Sequence, residues 1–208
     1  MARSFIFSII SLILVACNSE FTPQNGDLVF RVGNTDFSSA IKSATSRDKD
    51  IPYTHVGIVW VHGDTISIIE AGDTAVSVTP YDQFINAAMR DGDRLFATVS
   101  RVDIDPKLRD AAVGRALTFL GQPYDNAFTV DNGMMYCTEL VWEAYLDASG
   151  NRIFPASPMN FYAADGTLNP YWVKHFEALG IEIPQGEPGT NPVDMSKDPH
   201  ITPIHYYF

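Results

Sequence analysis

The sequence has little cysteine and few basic residues. Cys17 and Cys137 are the only two cysteines in 208 residues. Lys and Arg total 14 against 25 Asp and Glu, which gives a formal net charge of −11. Affinity for phosphate backbones comes mostly from clustered Lys and Arg, and the chain has no basic run. Nucleic acid is therefore not an expected partner.

Motifs for metals and phosphates are also missing. The chain contains no HExxH, no CxxC and no Asp-rich loop with calcium spacing. The segments "GDLV" and "GDTIS" lack the glycine pattern of a phosphate-binding loop. We therefore expect neither a metal ion nor a cofactor. No internal repeat or low-complexity linker divides the chain, so one folded domain is the simplest interpretation.

The only long hydrophobic run is Phe5 to Ala16, which is too short to span a bilayer as a permanent helix. Arg3 precedes the run and Cys17 follows it, a pattern that resembles the lipobox of bacterial lipoproteins. An ordinary signal peptide followed by a chance cysteine is the alternative. The lipobox implies a lipid on Cys17 and an exported, membrane-anchored protein that faces the periplasm or the cell surface. The predicted parts are a signal peptide (1–16), a tether (17–25) and a single domain (26–208).

The order of predicted elements is mostly strands first and helices later. This order is typical of an α+β domain with an antiparallel sheet and helices on one side. After Gly180 the chain is rich in Pro and Gly, and we expect it to cross the surface as an extended segment. The predicted strands are 26–32, 54–62, 65–71, 75–79 and 94–102; the predicted helices are 36–46 with Asp36 as its cap, 81–89, 106–120, 137 to near 150, and 169–180.

Cys137 begins the helical segment "CTELVWEAY". If Cys17 carries lipid, Cys137 has no partner within the chain, and an unpaired thiol in an exported protein is a candidate reactive group. The amides of the first helical turn favour a thiolate and could bind an oxyanion. A small buried core residue is an equally good interpretation at this point. The apolar stripe of this helix consists of Cys137, Leu140, Val141, Ala144, Tyr145 and Ala148.

A base for this thiol is suggested by the hairpin "HVGIVWVHGDTISIIEA". If Gly63-Asp64 is its two-residue turn, paired residue numbers sum to 127. His55 and Glu70 then become diagonal neighbours on one face, and Gly57 and Gly72 leave space beside them. A carboxylate in this position can orient the imidazole and stabilise its charged form.

Several of these segments together are similar to a known family. The segments "GDLVF", "THVGIVW", "IIEAG", "GQPYD" and "YCTELVWEAY", with "NPVDMSKDP" near the end, resemble the YiiX/YebB-like branch of the NlpC-type papain-fold cysteine peptidases. The resemblance covers roughly residues 26–148. It implies a circularly permuted papain-like fold, with an antiparallel sheet or small barrel packed against helices. It also implies Cys137 as nucleophile, His55 as base and Glu70 as its polar partner, with Tyr124 and Tyr136 as substrate or oxyanion contacts.

The function expected from this resemblance is a lipid-anchored cysteine hydrolase that cleaves an amide bond, as in cell-wall peptides. A lipid acyl hydrolase or acyltransferase of the lecithin retinol acyltransferase type is the alternative, because the aromatic segment from Phe154 to Phe176 could line an acyl groove. A second alternative, from a different functional class, is a non-catalytic lipoprotein that binds a peptide or lipid. If Glu70 is only structural, Asp27 and Asp73 are the next candidates for the orienting group.

Overall fold

The computed structural model describes residues 21–47 and 49–208. Cys17, the predicted signal peptide and residues 17–20 of the predicted tether lie outside these residues. The described part of the chain contains no helix that is both long and apolar enough to cross a membrane.

A six-stranded antiparallel sheet forms the centre of the domain. Its spatial order is β10-β7-β1-β2-β3-β4, and its two outer strands are not paired to each other. Of the two forms expected, the described residues build the open sheet and not a closed barrel. The strands are β1 (Leu28–Arg31), β2 (His55–His62), β3 (Thr65–Ala71), β4 (Val76–Pro80), β7 (Ala97–Val102) and β10 (Ile201–Tyr206).

Six helices and two short strand pairs accompany this sheet in the described residues. The helices are α1 (Asp36–Thr45), α2 (Tyr81–Asn86), α3 (Pro106–Thr118), α4 (Cys137–Ala144), α5 (Pro170–Leu179) and α6 (Pro192–Ser196); the short pairs are β5 (Arg90–Asp91) with β6 (Arg94–Leu95), and β8 (Ser157–Pro158) with β9 (Pro188–Gly189).

Side chains of β1, β2 and β3 alternate between two buried faces, so the sheet is covered on both sides. Leu28, Phe30 and Ile58 pack with Leu140 and Val141 of α4 on one face. The opposite face is covered by Phe84 and Ile85 of α2, which pack with buried residues of four strands. The expectation that helices lie on one side only is therefore wrong, because α2 supplies a second apolar cover.

Helix ends differ from the sequence prediction where side chains make other contacts. Thr35, not Asp36, caps α1, since its hydroxyl accepts from the Ser38 amide at 3.1 Å. Helix α4 ends at Ala144, well before Gly150, and Ala148 is exposed instead of completing the apolar stripe. The Tyr145 hydroxyl donates to the Gly26 carbonyl at 2.6 Å, so a tertiary contact holds the chain where the helix stops.

The C-terminal segment is not merely an extended surface strand. Residues after Gly180 form β9, α6 and finally β10, which pairs with β7 and becomes one edge of the main sheet. The predicted strand 94–102 is divided between β6 and β7. The C-terminal residues therefore contribute backbone hydrogen bonds to the main sheet. Their Pro and Gly content did not predict this contribution.

Gly57 is needed for packing between the sheet and α2. A Cβ atom there would lie 2.3 Å from Cγ2 of Ile68 and 3.2 Å from the Phe84 ring. The expectation that Gly57 leaves empty space is therefore wrong, because Ile68 and Phe84 fill that space; beside Gly72 the nearest atom is 3.8 Å away.

We predict that Gly57→Ala lowers the free energy of unfolding by about 1–3 kcal/mol, as overpacking of a buried site does. Gly114→Ala in α3 is the matched control, because a Cβ there meets nothing within 4 Å. It should leave stability unchanged or raise it by about 1 kcal/mol through helix propensity. Urea unfolding of both variants measures the difference, and equal stability of the two would contradict the packing argument.

Candidate active site

His55 and Glu70 form a hydrogen-bonded pair on neighbouring strands. The register of β2 with β3 runs from Ile58 opposite Ile69 to His62 opposite Thr65, which confirms the predicted hairpin. The His55 Nε2 atom lies 2.6 Å from Oε2 of Glu70. The other carboxylate oxygen of Glu70 accepts from the Thr79 hydroxyl at 2.5 Å. Both Glu70 oxygens are thus occupied, which fixes the carboxylate and, through it, the imidazole.

Cys137 and His55 both lie at the ends of their elements. Helix α4 covers the face opposite Phe84, whereas the His55 ring stacks on Phe84 with centroids 5.5 Å apart. His55 is the first residue of β2 and Cys137 is the first residue of α4. Neither side chain therefore has to cross the middle of the sheet, and Cys137 is near enough to raise the pKa of His55.

The N-terminus of α4 is held by the segment around "GQPYD". Met135 donates its amide to the carbonyl of Pro123 at 2.9 Å, and the amide of Asp125 donates to the Met135 carbonyl at 3.1 Å. The amide of Tyr136 donates to Oε2 of the buried Glu139 at 3.3 Å. These contacts fix the point at which Cys137 enters the helix, so the hydrogen bonds around it determine the position of the thiol.

The electrostatics of the pair favour charged forms. Burial alone disfavours the imidazolium of His55, but its interactions with Cys137 and Glu70 outweigh burial and raise the pKa of His55 to about 9. Burial also opposes ionisation of Glu70, yet the hydrogen bond and charge of His55 hold its pKa below the ordinary value. At neutral pH His55 is therefore an imidazolium that is hydrogen-bonded to the Glu70 carboxylate.

A cleft with a volume of about 510 Å³ opens onto His55 and Glu70. Its other lining side chains are mostly polar and include Arg31, Asn34, Asp73, Gln83 and Asn126. A second, apolar pocket of about 40 Å³ contains Cys137. Both spaces are lined by Thr54 and Tyr124, so these two residues stand between the thiol and the larger cleft.

The two tyrosines of the sequence prediction occupy different environments. Tyr124 lines both spaces, and its pKa lies well above the ordinary value because of burial and the nearby charge of Cys137. The Tyr136 hydroxyl instead accepts from the Thr190 amide at 3.1 Å, inside an aromatic cluster that includes Phe128 and Trp172. Tyr124 therefore faces the site, while the hydroxyl of Tyr136 is occupied by a tertiary contact.

The alternative orienting groups are placed elsewhere. Asp27 is fully buried and accepts two hydrogen bonds of 2.9 Å from Arg101. Asp73 is exposed at the cleft, and its carboxylate makes no hydrogen bond to His55. Glu70 is thus the carboxylate that contacts the imidazole.

Three residues of the site were not predicted from the sequence: Arg31, Thr79 and Phe84. Thr79 could have been found by extending the hairpin argument to β3 and β4, since Glu70 faces Ser77 in that register. Arg31 lies directly opposite His55 in the β1–β2 ladder. A long connection joins these two strands, so no turn geometry fixes that register from the sequence.

Comparison with known proteins agrees with the fold described above. Residues 22–205 match the family described as permuted papain-like amidase enzymes, the YaeF/YiiX or C92 family. This chain belongs to that family. The family consists of amidase enzymes with a permuted papain-like fold. In this amidase the fold contains the open six-stranded sheet described above.

Two relatives show how far the similarity extends. The uncharacterized protein YiiX of Escherichia coli (strain K12) is 27% identical over 198 residues, which cover 94% of this chain and 93% of the relative. The crystal structure of metalloprotein yiiX from Escherichia coli O157:H7 has a TM-score of 0.72 and 27% identity, covering 89% of this chain and 98% of that one. The amidase is thus similar to these proteins over nearly its whole described length.

We predict a pH-dependent contribution of His55 to stability. Its folded-state pKa of about 9 lies above the unfolded value of about 6.5. The stabilisation is therefore complete below about pH 6.5 and is lost as the pH rises through about 9. Urea unfolding of the wild type and of His55→Gln between pH 6 and 10 should show a difference in unfolding free energy that shrinks with pH. In a Glu70→Gln background the loss should begin at lower pH, and a difference independent of pH would contradict the assignment.

Proposed function

We propose that this amidase hydrolyses amide bonds of peptides through Cys137, His55 and Glu70. The observation that carries the proposal is the position of His55, which hydrogen-bonds Glu70 at 2.6 Å and lies near enough to Cys137 for the thiol to raise its pKa. Nε2 is engaged by Glu70, which leaves Nδ1 for the thiol. A nucleophile, a base and a group that orients the base are the three parts that thiol catalysis needs.

The reaction follows from these positions. The Cys137 thiolate attacks the carbonyl carbon, so a C–S bond forms and the carbonyl electrons move to oxygen. As the C–N bond breaks, the His55 imidazolium gives its proton to the leaving nitrogen, and the amine departs. Water then attacks the thioester, His55 takes its proton, and the carboxylic acid leaves with the thiolate regenerated. Glu70 keeps its charge throughout and stabilises the imidazolium.

The oxyanion formed in each step needs donors near Cys137. The Tyr124 hydroxyl is one candidate, because Tyr124 lines both the cleft and the pocket that holds the thiol. The first amides of α4 are the others, since helix N-termini present unpaired N–H groups. In the proposed mechanism Tyr136 supports the site through packing, because its hydroxyl is engaged by Thr190.

The cleft favours a peptide over an acyl lipid. Ligand sites for small molecules usually measure about 300–1,000 Å³, a range that the polar cleft of about 510 Å³ meets. The apolar pocket beside Cys137 measures only about 40 Å³, too little for a long acyl chain. The aromatic residues Phe161, Trp172 and Phe176 pack against each other as a core, and Phe161 and Trp172 also line this small pocket. Cell-wall peptides are the substrates that an exported amidase of this type would encounter.

A metal has no step in this proposal. The relative from Escherichia coli O157:H7 is described as a metalloprotein. Within residues 21–47 and 49–208 of this chain, no three His, Cys, Asp or Glu side chains are grouped so that they could hold a metal ion.

The proposed location is the outer side of a bacterial membrane. The support is the sequence pattern at Cys17, where an apolar run of signal-peptide length ends in a small residue and cysteine. A lipid on Cys17 would tether the domain through the short polar segment that follows. Tethering would keep the amidase close to the cell wall, which contains its proposed substrates.

We predict that Glu70→Gln lowers kcat/KM on a cell-wall peptide by roughly a hundredfold or more while the fold is retained. The variant keeps an acceptor for His55 but loses the charge. Cys137→Ala should abolish turnover, and adding Glu70→Gln to it should change little, because the groups act as one unit. Turnover would be measured on a panel of cell-wall peptides and acyl lipids, with mass detection of the Cys137 thioester.

Asp73→Asn is the matched control for this series. It makes the same change from carboxylate to amide within the same cleft, at a side chain that does not contact His55. It should retain most of the wild-type turnover. If Asp73→Asn lost activity and Glu70→Gln did not, the orienting role would belong to Asp73. A thioester that formed only from acyl lipids would replace the peptide substrate with a lipid.

A separate prediction concerns the anchor. The mature chain should begin at Cys17 and partition into the detergent phase, and Cys17→Ser should leave the protein unprocessed or in the aqueous phase. Mass spectrometry of the N-terminal peptide, with Ser19→Ala as control, measures both cleavage and lipid. Cleavage at another residue without lipid would show that the segment is an ordinary signal peptide.

A further inference from the structure

The cleft contains a positive charge that the proposed reaction does not use. Arg31 ends β1 and lies directly opposite His55, so both side chains leave the same face of the sheet. The guanidinium carbon of Arg31 lies 4.8 Å from the centre of the Phe84 ring. The same ring stacks on His55 at 5.5 Å. Phe84 therefore holds Arg31 and His55 side by side in the cleft.

Most donors of this guanidinium are unused. Nη1 donates to the carbonyl of Ala87 at 3.0 Å, and Nε is buried without a hydrogen-bond partner in the described residues. No Asp or Glu oxygen of the described residues lies within 4.0 Å of Arg31, whereas Arg101 in the same sheet is paired with Asp27 at 2.9 Å. An arginine has five N–H donors in a planar fork that matches a carboxylate. Arg31 can therefore accept an anionic ligand.

The neighbouring acidic groups do not satisfy this arginine. Burial lowers the pKa of Arg31, and attraction to Glu70, Cys137 and Asp73 acts against that effect. Both oxygens of Glu70 are already taken by His55 and Thr79. A partly buried cation without a hydrogen-bonded counter-charge is costly, and such groups are found preferentially at functional sites.

The position of Arg31 indicates which part of the substrate it meets. His55 delivers a proton to the leaving nitrogen, so groups beside His55 face the leaving amine. In an amide formed from an α-amino acid, the carboxylate is attached to the carbon next to that nitrogen. We propose that Arg31 binds the α-carboxylate of the leaving amino acid, so that the substrate is an N-acyl amino acid or the C-terminal residue of a peptide. This inference rests on the proposed function and specifies its substrate class.

The test compares two substrates that differ in one charge. They are N-acetyl-dialanine with a free C-terminal carboxylate and the same compound with a C-terminal carboxamide, each made with an L or a D terminal residue. The wild type should prefer the acid in kcat/KM by about tenfold to a hundredfold, the effect of one charge-assisted hydrogen-bonded pair. Arg31→Gln should bring this ratio close to one, and Arg31→Lys should keep part of it. Arg90→Gln, an exposed arginine outside the cleft, should keep the wild-type ratio.

A binding measurement separates this inference from the proposed function. Cys137→Ala cannot turn over substrate, so calorimetry of the acid and the carboxamide on that variant, with and without Arg31→Gln, reports recognition alone. One outcome is that the wild type hydrolyses both compounds equally and Arg31→Gln lowers both rates in proportion. Arg31 would then only affect the charge of the site, so the inference would fail while the amidase function would stand. If neither compound is hydrolysed but the acid still binds more tightly through Arg31, the carboxylate site stands and the proposed reaction fails. Equal binding of both compounds overturns the inference.

Discussion

The contact between His55 and Glu70 depends on one constraint, the pairing register of β2 with β3. The turn at Gly63-Asp64 sets that register, and successive side chains then alternate between the two faces of the sheet. A shift by one residue would turn Glu70 toward α4 and leave the imidazole without its carboxylate. The apolar residues of both strands oppose such a shift, because it would reverse the two buried faces at the same time. The same packing that stabilises the domain therefore also orients its candidate base.

The candidate site gathers charges of both signs in a partly buried space. The imidazolium of His55 is hydrogen-bonded to Glu70, and the guanidinium of Arg31 lies beside it on the shared Phe84 ring. Cys137 also acts on the pKa of His55. Charges in such surroundings interact more strongly than in water, so each one affects the protonation of the others. An anionic substrate would complete this arrangement by giving Arg31 a counter-charge. Substrate recognition and acid–base chemistry would then depend on the same set of interacting charges.

Features that depend on neighbouring residues were predicted from the sequence more fully than contacts between distant segments. The β2–β3 register and the place of Cys137 at a helix N-terminus follow from a two-residue turn and a short periodic pattern, both of which act over few residues. The position of Arg31 beside His55 could not be predicted from the sequence, because a long connection separates β1 from β2. The early end of α4 could not be predicted either, since it accompanies the contact of Tyr145 with the distant Gly26 carbonyl. The helix that covers the second face of the sheet was missed, because α2 is short and only its packing shows which side it covers.

One edge of the main sheet is formed by β10, which lies far from its partner β7 in the sequence. β10 pairs along β7, which would otherwise present a regular row of unpaired N–H and C=O groups. β10 takes the edge position in its place, and it carries Pro203, which has no amide hydrogen, and a register shift between Pro203 and His205. A chain without β10 would keep Cys137, His55 and Glu70 but would expose the regular edge of β7, on which other chains could assemble. Protection against aggregation in this protein thus depends on an irregular edge strand that takes no part in the candidate site.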